Sequence, residues 1–295
     1  MSYVNPSPAE MLAWASKIVP PAILKNTVII TKKSGPDWVF NATLIEIDQR
    51  VFLATAGHCL RNFKVADYWF LRGDPTHFEA GPRALSGFYL RSDQPDVGVL
   101  EIAPSHLDRL PGKAPIPITH IHPCGTAEDK TGFLLGAPLL PKNFPEKFMF
   151  QPIPYYCWPR KPSDWKGVES ITDQKSDIIC SWKYGEPIPW HLPDGTTKEH
   201  ELPHPLGLSG SGFWLIGSEH VDVWTSEAIR LVGIQSACYI DDDLLHLVQI
   251  HHWIRLVYAN YEGLRNTLEQ TFPMLRLQDS EYPLHYGTSV VTEGF

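Results

Sequence analysis

The stretch "GLSGSGFW" (residues 207–214) sets Ser209 between glycines and ahead of an apolar run. Glycine weakens regular structure and is useful where the backbone must turn sharply or approach another group closely. The stretch therefore reads as a tight turn presenting a hydroxyl, followed by a strand. A serine hydroxyl is a weak nucleophile until a base takes its proton, and histidine is suited to that work near neutral pH.

Upstream, "ATAGHC" (54–59) puts His58 at the end of a strand rich in apolar residues. "QPDVGVLEI" (94–102) puts Asp96 at the start of another. A carboxylate can hold an imidazole in one tautomer and stabilise its cation. The order along the chain is His, Asp, Ser. This excludes α/β-hydrolases, which run Ser, acid, His around G-x-S-x-G, since Ser211 stands where that motif needs glycine. It also excludes the Asp, His, Ser order of subtilisin-like enzymes.

Between and around these stretches the chain reads as short strands: "NTVIITKK", "WVFNATLIEI", "RVFLATAG", "DVGVLEI", "TGFLLGAPL", "SGFWLIG", "IRLVGIQSACY" and "LLHLV". A short helix is expected over 7–18, where Ser7 caps and Pro8 opens it. A second is expected over 249–272, where Ile250, Trp253, Ile254 and Val257 recur at helical spacing. "APIPITHIHP" (114–123) reads as an extended linker, and the Trp-dotted region from about 158 to 202 reads as polar loop.

The 295 residues carry 43% hydrophobic and 20% charged side chains, the balance of a globular protein with a real core. A net charge of -8 gives no basic footprint for nucleic acid. No apolar run approaches the ~20 residues of a membrane span. The N-terminus does not read as a signal peptide, since Glu10 and Lys17 interrupt it. Five scattered cysteines suit reduced thiols in the cytoplasm better than a secreted disulfide framework. "HIHPC" alternates His120, His122 and Cys124, but no fourth ligand stands out, and a structural role is favoured over a metal. His251 and His252 read as packing or surface residues of the terminal helix. Neither a metal nor an organic cofactor is expected.

Together, "TAGHC", "DVGVLEI" and "GLSGSG" resemble the boxes around the histidine, aspartate and serine of the chymotrypsin/trypsin-like serine peptidases. "LVGIQSA" (231–237) resembles that family's substrate-binding strand, and "HLVQIHHWIRLV" (246–257) its closing strand and C-terminal helix. "GFLLGAPL" (132–139) is similar to the strand opening the second barrel in the bacterial glutamyl-endopeptidase and HtrA-like branches. The resemblance spans roughly residues 24–258.

It implies an all-β fold of two antiparallel six-stranded barrels with a short N-terminal and a C-terminal helix. The expected divisions are an N-terminal segment (1–23), a first barrel (24–115), a second barrel with its helix (116–258) and a C-terminal extension (259–295). The resemblance also assigns roles. His58 would be general base and acid, Asp96 its orienter and Ser209 the nucleophile. The N–H groups of Gly207 and Ser209 would form the oxyanion hole. Ser236 would share in holding Asp96, and Ser236, Ala237 and Cys238 would pair with a polypeptide substrate.

Pro203, Cys238 and the run Asp241, Asp242, Asp243 would line the specificity pocket. Pro203 replaces the aspartate of trypsin-like enzymes, and Cys238 would narrow the pocket. Asp242 or a neighbour would favour basic residues, unless the run is only a solvated turn. Two departures stand out. "FNATLI" (40–45) lacks the cysteine that would bridge Cys59. Leu208 replaces the aspartate that receives a new N-terminus in zymogens, so any regulation would come from a protein partner, a loop or a flanking segment. The implied function is an intracellular serine endopeptidase. The other reading is a catalytically silent pseudo-peptidase that binds protein.

Overall fold

The computed structural model describes residues 19, 21–32, 39–61, 63, 68–71, 89–93, 95–102, 107, 110, 112–123, 132–139, 152–165, 177–182, 187–191, 197–201, 205–216, 228–239 and 241–276. The N-terminal strands are β1 (Thr27–Lys32), β2 (Val39–Ile47), β3 (Arg50–Thr55), β4 (Tyr68–Leu71), β5 (Tyr89–Asp93), β6 (Asp96–Ile102) and β7 (Ile116–Pro117). Their order is β4-β1-β2-β3-β6-β5, antiparallel throughout, with β7 added in parallel against β2.

The C-terminal strands are β8 (Gly132–Gly136), β9 (Ile153–Pro159), β10 (Asp177–Ser181), β13 (Gly212–Ile216), β14 (Ile229–Tyr239) and β15 (Leu244–Gln249). They close into a barrel in the order β10-β15-β14-β13-β8-β9. A separate hairpin, β11 (Pro187–His191) with β12 (Thr197–Glu201), precedes the Ser209 turn.

Two six-stranded barrels are expected from the sequence, and the described residues show one closed barrel. The N-terminal unit is a six-strand path whose ends, β4 and β5, do not pair with each other among the described residues. The helix expected over 7–18 lies outside the described residues, and the helical turn that is described covers 21–24. The single helix expected over 249–272 is two, α1 (Ile250–Asn260) and α2 (Arg265–Thr271). They part at Tyr261, whose backbone at φ -120°, ψ 80° leaves the helical region. No helix among the described residues is long and apolar enough to cross a membrane.

The polar reading of 158–202 missed structure. Strand β10 buries Ile178, Ile179 and Cys180, and β11 and β12 form the hairpin. Strand β9 is a further element absent from the sequence reading, and its buried Ile153, Tyr155 and Cys157 follow a period of two.

One core joins the two units. Ile45, Phe52 and Val99 of the first sheet meet Phe133, Trp214 and Leu231 of the barrel and Trp253 and Val257 of α1. The stretch 114–123 is stitched to both: Ile116 and Pro117 pair with β2, and His122 N–H donates to the Leu231 carbonyl at 2.9 Å. Residues beyond 259 add to this core through Tyr261, Leu264, Leu268 and Phe272. The Tyr261 ring lies 4.7 Å from the Arg50 guanidinium, which grips Glu101 with two hydrogen bonds of 2.8 and 2.7 Å. Burying side chains of this size stabilises by roughly 1.5–3 kcal/mol each, which holds the units in fixed register.

Candidate active site

Strand β3 ends at Thr55, and a 3-10 turn over Gly57–Leu60 carries His58. The first residue of β6 is Asp96, and the β3–β6 pairing brings the two ends together. His58 Nδ1 is 2.7 Å from Asp96 Oδ2, and the His58 backbone N–H donates to Asp96 Oδ1, also at 2.7 Å. The Ser236 hydroxyl donates to Asp96 Oδ2 at 2.5 Å. Ser236 reaches it because the β14–β15 register shifts between Gln235 and Ala237, a bulge that re-aims the residue.

Burial works against both charges here. For Asp96 it is outweighed by the His58 hydrogen bond, then by the His58 charge and Ser236, and the carboxyl lies below its usual range. For His58 burial is again opposed by the Asp96 hydrogen bond, and the imidazole lies above its usual 6.5. Cys59, 1% exposed, sets its sulfur 3.7 Å from His58 Nε2. Burial pushes that thiol up, so it is neutral near pH 7.

The Ser209 turn enters from the barrel side. Gly207 and Gly210 have φ of +86° and +85°, a region that side chains other than glycine rarely adopt. A Cβ on Gly207 would sit 2.7 Å from the Leu139 nitrogen, and one on Gly210 would collide with the Asn41 carbonyl and the Thr55 hydroxyl. Leu208 points into the barrel core beside Phe213 and Leu245 and is fully buried.

Around the turn, the Leu206 carbonyl accepts from Leu139 N–H at 2.6 Å and the Leu208 carbonyl from Ser211 N–H at 2.9 Å. Leu208 N–H donates to the Pro205 carbonyl and Gly210 N–H to that of Gln235. The Gly207 and Ser209 N–H groups have no acceptor among the described residues. The Ser209 hydroxyl donates to the Ser236 carbonyl at a long 3.5 Å, and no hydrogen bond joins it to His58 Nε2 among the described residues.

The structure thus brings His58, Asp96, Ser209, Gly207 and Ser236 to one place. Ala237 and Cys238 follow Ser236 along β14. Cys238 is half-buried against the barrel core, and burial, then Asp243, pushes its thiol up to about 12. Asp241, Asp242 and Asp243 are all exposed in the turn after β14. Pro203 and Cys124 lie outside the described residues, and His120 and His122 sit in the linker. His251 and His252 lie on α1 with rings 3.7 Å apart, and burial lowers them to about 4 and about 2.

Sequence reasoning passed over Asn41 except as a missing cysteine. Its signal was a polar residue inside the apolar run "VFNATLI" (39–45). Asn41 is fully buried and bonds to the Ser209 turn through both its backbone and its side chain.

No protein-family model matches the chain, and no curated protein matches it. Solved structures do. The scabies mite inactivated protease paralogue S-I1 is 14% identical, with 81% of this chain and 96% of that chain covered at a TM-score of 0.51. The scabies mite inactivated protease paralogue S-D1 is 12% identical, with 82% of this chain and 94% of that chain covered at a TM-score of 0.54. At such identities the likeness concerns the fold alone: this chain is mostly β, with a closed six-stranded barrel and a C-terminal helix, and its fold is chymotrypsin-like.

Proposed function

We propose that the chain is an intracellular serine endopeptidase of the chymotrypsin/trypsin-like kind, built on two barrels and using neither metal nor organic cofactor. The observation that carries this is Asp96, which accepts from Ser236 and from the His58 backbone while it faces His58 Nδ1. With Nδ1–H given to Asp96, Nε2 is the nitrogen that carries the lone pair, the form a general base needs, with only the Cys59 sulfur at 3.7 Å beside it among the described residues.

In this reading Ser209 attacks the scissile carbonyl as His58 takes its proton. The Gly207 and Ser209 N–H groups, without an acceptor among the described residues, receive the developing oxyanion, each worth about 3 kcal/mol. His58 then protonates the leaving amine, and water repeats the sequence on the acyl-enzyme. A polypeptide substrate would lie along Ser236, Ala237 and Cys238 as an added strand. Small or basic residues would be favoured on the acyl side of the scissile bond, since Cys238 would narrow the pocket and Asp243 acts electrostatically on Cys238.

A pseudo-peptidase is the second reading, and one observation favours it: the Ser209 hydroxyl is bonded to the Ser236 carbonyl rather than to His58. The similar solved structures are also named inactivated. Catalytic hydrogen bonds are often long or misaligned until substrate binds, so this geometry is compatible with activity. The deciding experiment is turnover of a peptide library by the wild type and by Ser209→Ala. The peptidase reading expects cleavage that falls by at least about a thousandfold in the variant. No cleavage by either would favour the binding module, and equal rates of cleavage would detach Ser209 from the chemistry.

A further inference from the structure

Asn41 is a buried polar side chain that β2 sends into the seam between the two units at the Ser209 turn, and every part of it is used. Its Oδ1 accepts from Ala137 N–H at 2.8 Å. Its Nδ2 donates to the Gly207 carbonyl at 2.7 Å and to the Ala137 carbonyl at 3.4 Å. Its backbone N–H donates to the Ser209 carbonyl at 2.7 Å, and its own carbonyl accepts from the Thr55 hydroxyl at 2.7 Å.

These bonds fall on alternate peptide units of the turn. The 207–208 peptide is held at its carbonyl by Asn41 Nδ2 and at its N–H by Pro205. The 209–210 peptide is held at its carbonyl by Asn41 N–H and at its N–H by Gln235. The two peptides between and before them are held only at their carbonyls, and their N–H groups are those of Gly207 and Ser209. Fixing a peptide plane at one end aims its other end.

We infer that Asn41 is a positioning residue, a neutral clamp across the seam that keeps the Gly207 and Ser209 N–H groups aimed together without an ion pair behind Leu208. This deepens the peptidase reading and rests on it for its effect on turnover. The chemistry is specific to an amide: aspartate could not donate to the Gly207 carbonyl, and alanine would leave that carbonyl and Ala137 N–H buried and unpaired.

The test uses the full chain and the variants Asn41→Ala and Asn41→Asp, with Arg50→Ala as a destabilised control away from the turn. The clamp expects kcat on a peptide substrate to fall on the order of 100-fold, as for a displaced catalytic geometry, with KM within about threefold. Hydrogen exchange should quicken over 205–211 and stay unchanged in β1 and β3. Arg50→Ala should lose thermal stability and keep its kcat. Wild-type kcat in a folded Asn41 variant would overturn the clamp, as would an equal loss in Arg50→Ala. If the wild type neither cleaves peptides nor reacts with a fluorophosphonate, the peptidase reading falls and exchange over 205–211 alone decides. If neither variant folds, the wild type decides: the Asn41 side-chain amide protons should exchange slowly, and rapid exchange would overturn the clamp.

Discussion

The two halves of the site are held by different forces. On the first sheet, His58 and Asp96 are fixed by charge: a carboxylate accepts three hydrogen bonds, two of them from one residue. On the barrel side, the Ser209 turn is fixed by neutral contacts, namely the buried Leu208, the amide of Asn41 and backbone hydrogen bonds. The first half should respond to pH. The second should not, because nothing in it titrates. Separating proton chemistry from backbone geometry lets each be perturbed alone.

The largest effect should come from breaking the charged half. Asp96→Asn keeps the shape but removes the acceptor that selects the Nδ1–H tautomer, and kcat should fall about 10⁴-fold. Steady-state kinetics near neutral pH check this, and a loss under tenfold would detach Asp96 from the chemistry.

Breaking the neutral half should act on stability first. Leu208→Asp puts an unpaired carboxylate in an apolar core, and such a charge costs about 3–5 kcal/mol. Leu208→Ala leaves a cavity costing about 2–5 kcal/mol. Urea unfolding should rank wild type above alanine above aspartate. An aspartate variant as stable as the wild type would mean that the turn holds a hidden cationic partner.

How much of this could be read from residue order follows from distance along the chain. "ATAGHC", "QPDVGVLEI" and "GLSGSG" are local patterns, and each carries its own turn and strand signals. Strands β11 and β12 were not legible, because Pro187 and Pro189 and the polar residues around them weaken local propensity, and pairing supplies what propensity lacks. Strand β10 has a short apolar run of its own, Ile178 to Cys180, lost between the polar stretches that flank it. The division of the C-terminal helix was hidden because Tyr261 is ordinary in a helix, and it leaves one here to reach Arg50 and Phe52. Asn41 stood out locally as a polar residue in an apolar run, but its partner was illegible, because Gly207 lies 166 residues away.

The charged half should also show itself in a pH series. Only neutral His58 can accept the Ser209 proton, and its pKa is raised. The rate should therefore climb with pH past the usual histidine range into the alkaline region. Stability follows the opposite sign for this group. A raised folded pKa gives stability that is full below the unfolded value and lost as pH rises through the folded one. The lowered pKa of Asp96 gives stability present above its unfolded value and lost as pH falls through the folded one. Thermal unfolding against pH should show both limbs, and Asp96→Asn should flatten them. Limbs that survive in Asp96→Asn would place the titration elsewhere.

The smallest effect should be Ser236→Ala. It removes one of three hydrogen bonds to Asp96 and leaves both from His58, so kcat should fall about tenfold, the equivalent of ~1.4 kcal/mol. A loss as large as that of Asp96→Asn would make Ser236 an equal partner in the charged half.

The most direct measurement is intact-mass and peptide-mapping analysis of the full chain after reaction with a fluorophosphonate. Such a reagent forms a stable bond to a serine only where a base activates the hydroxyl and an oxyanion site receives the phosphoryl oxygen, so it reads both halves at once. The account expects one adduct per chain, located on Ser209, absent in Ser209→Ala and slowed in Asp96→Asn. No adduct on the wild type, or one on another residue, would contradict it.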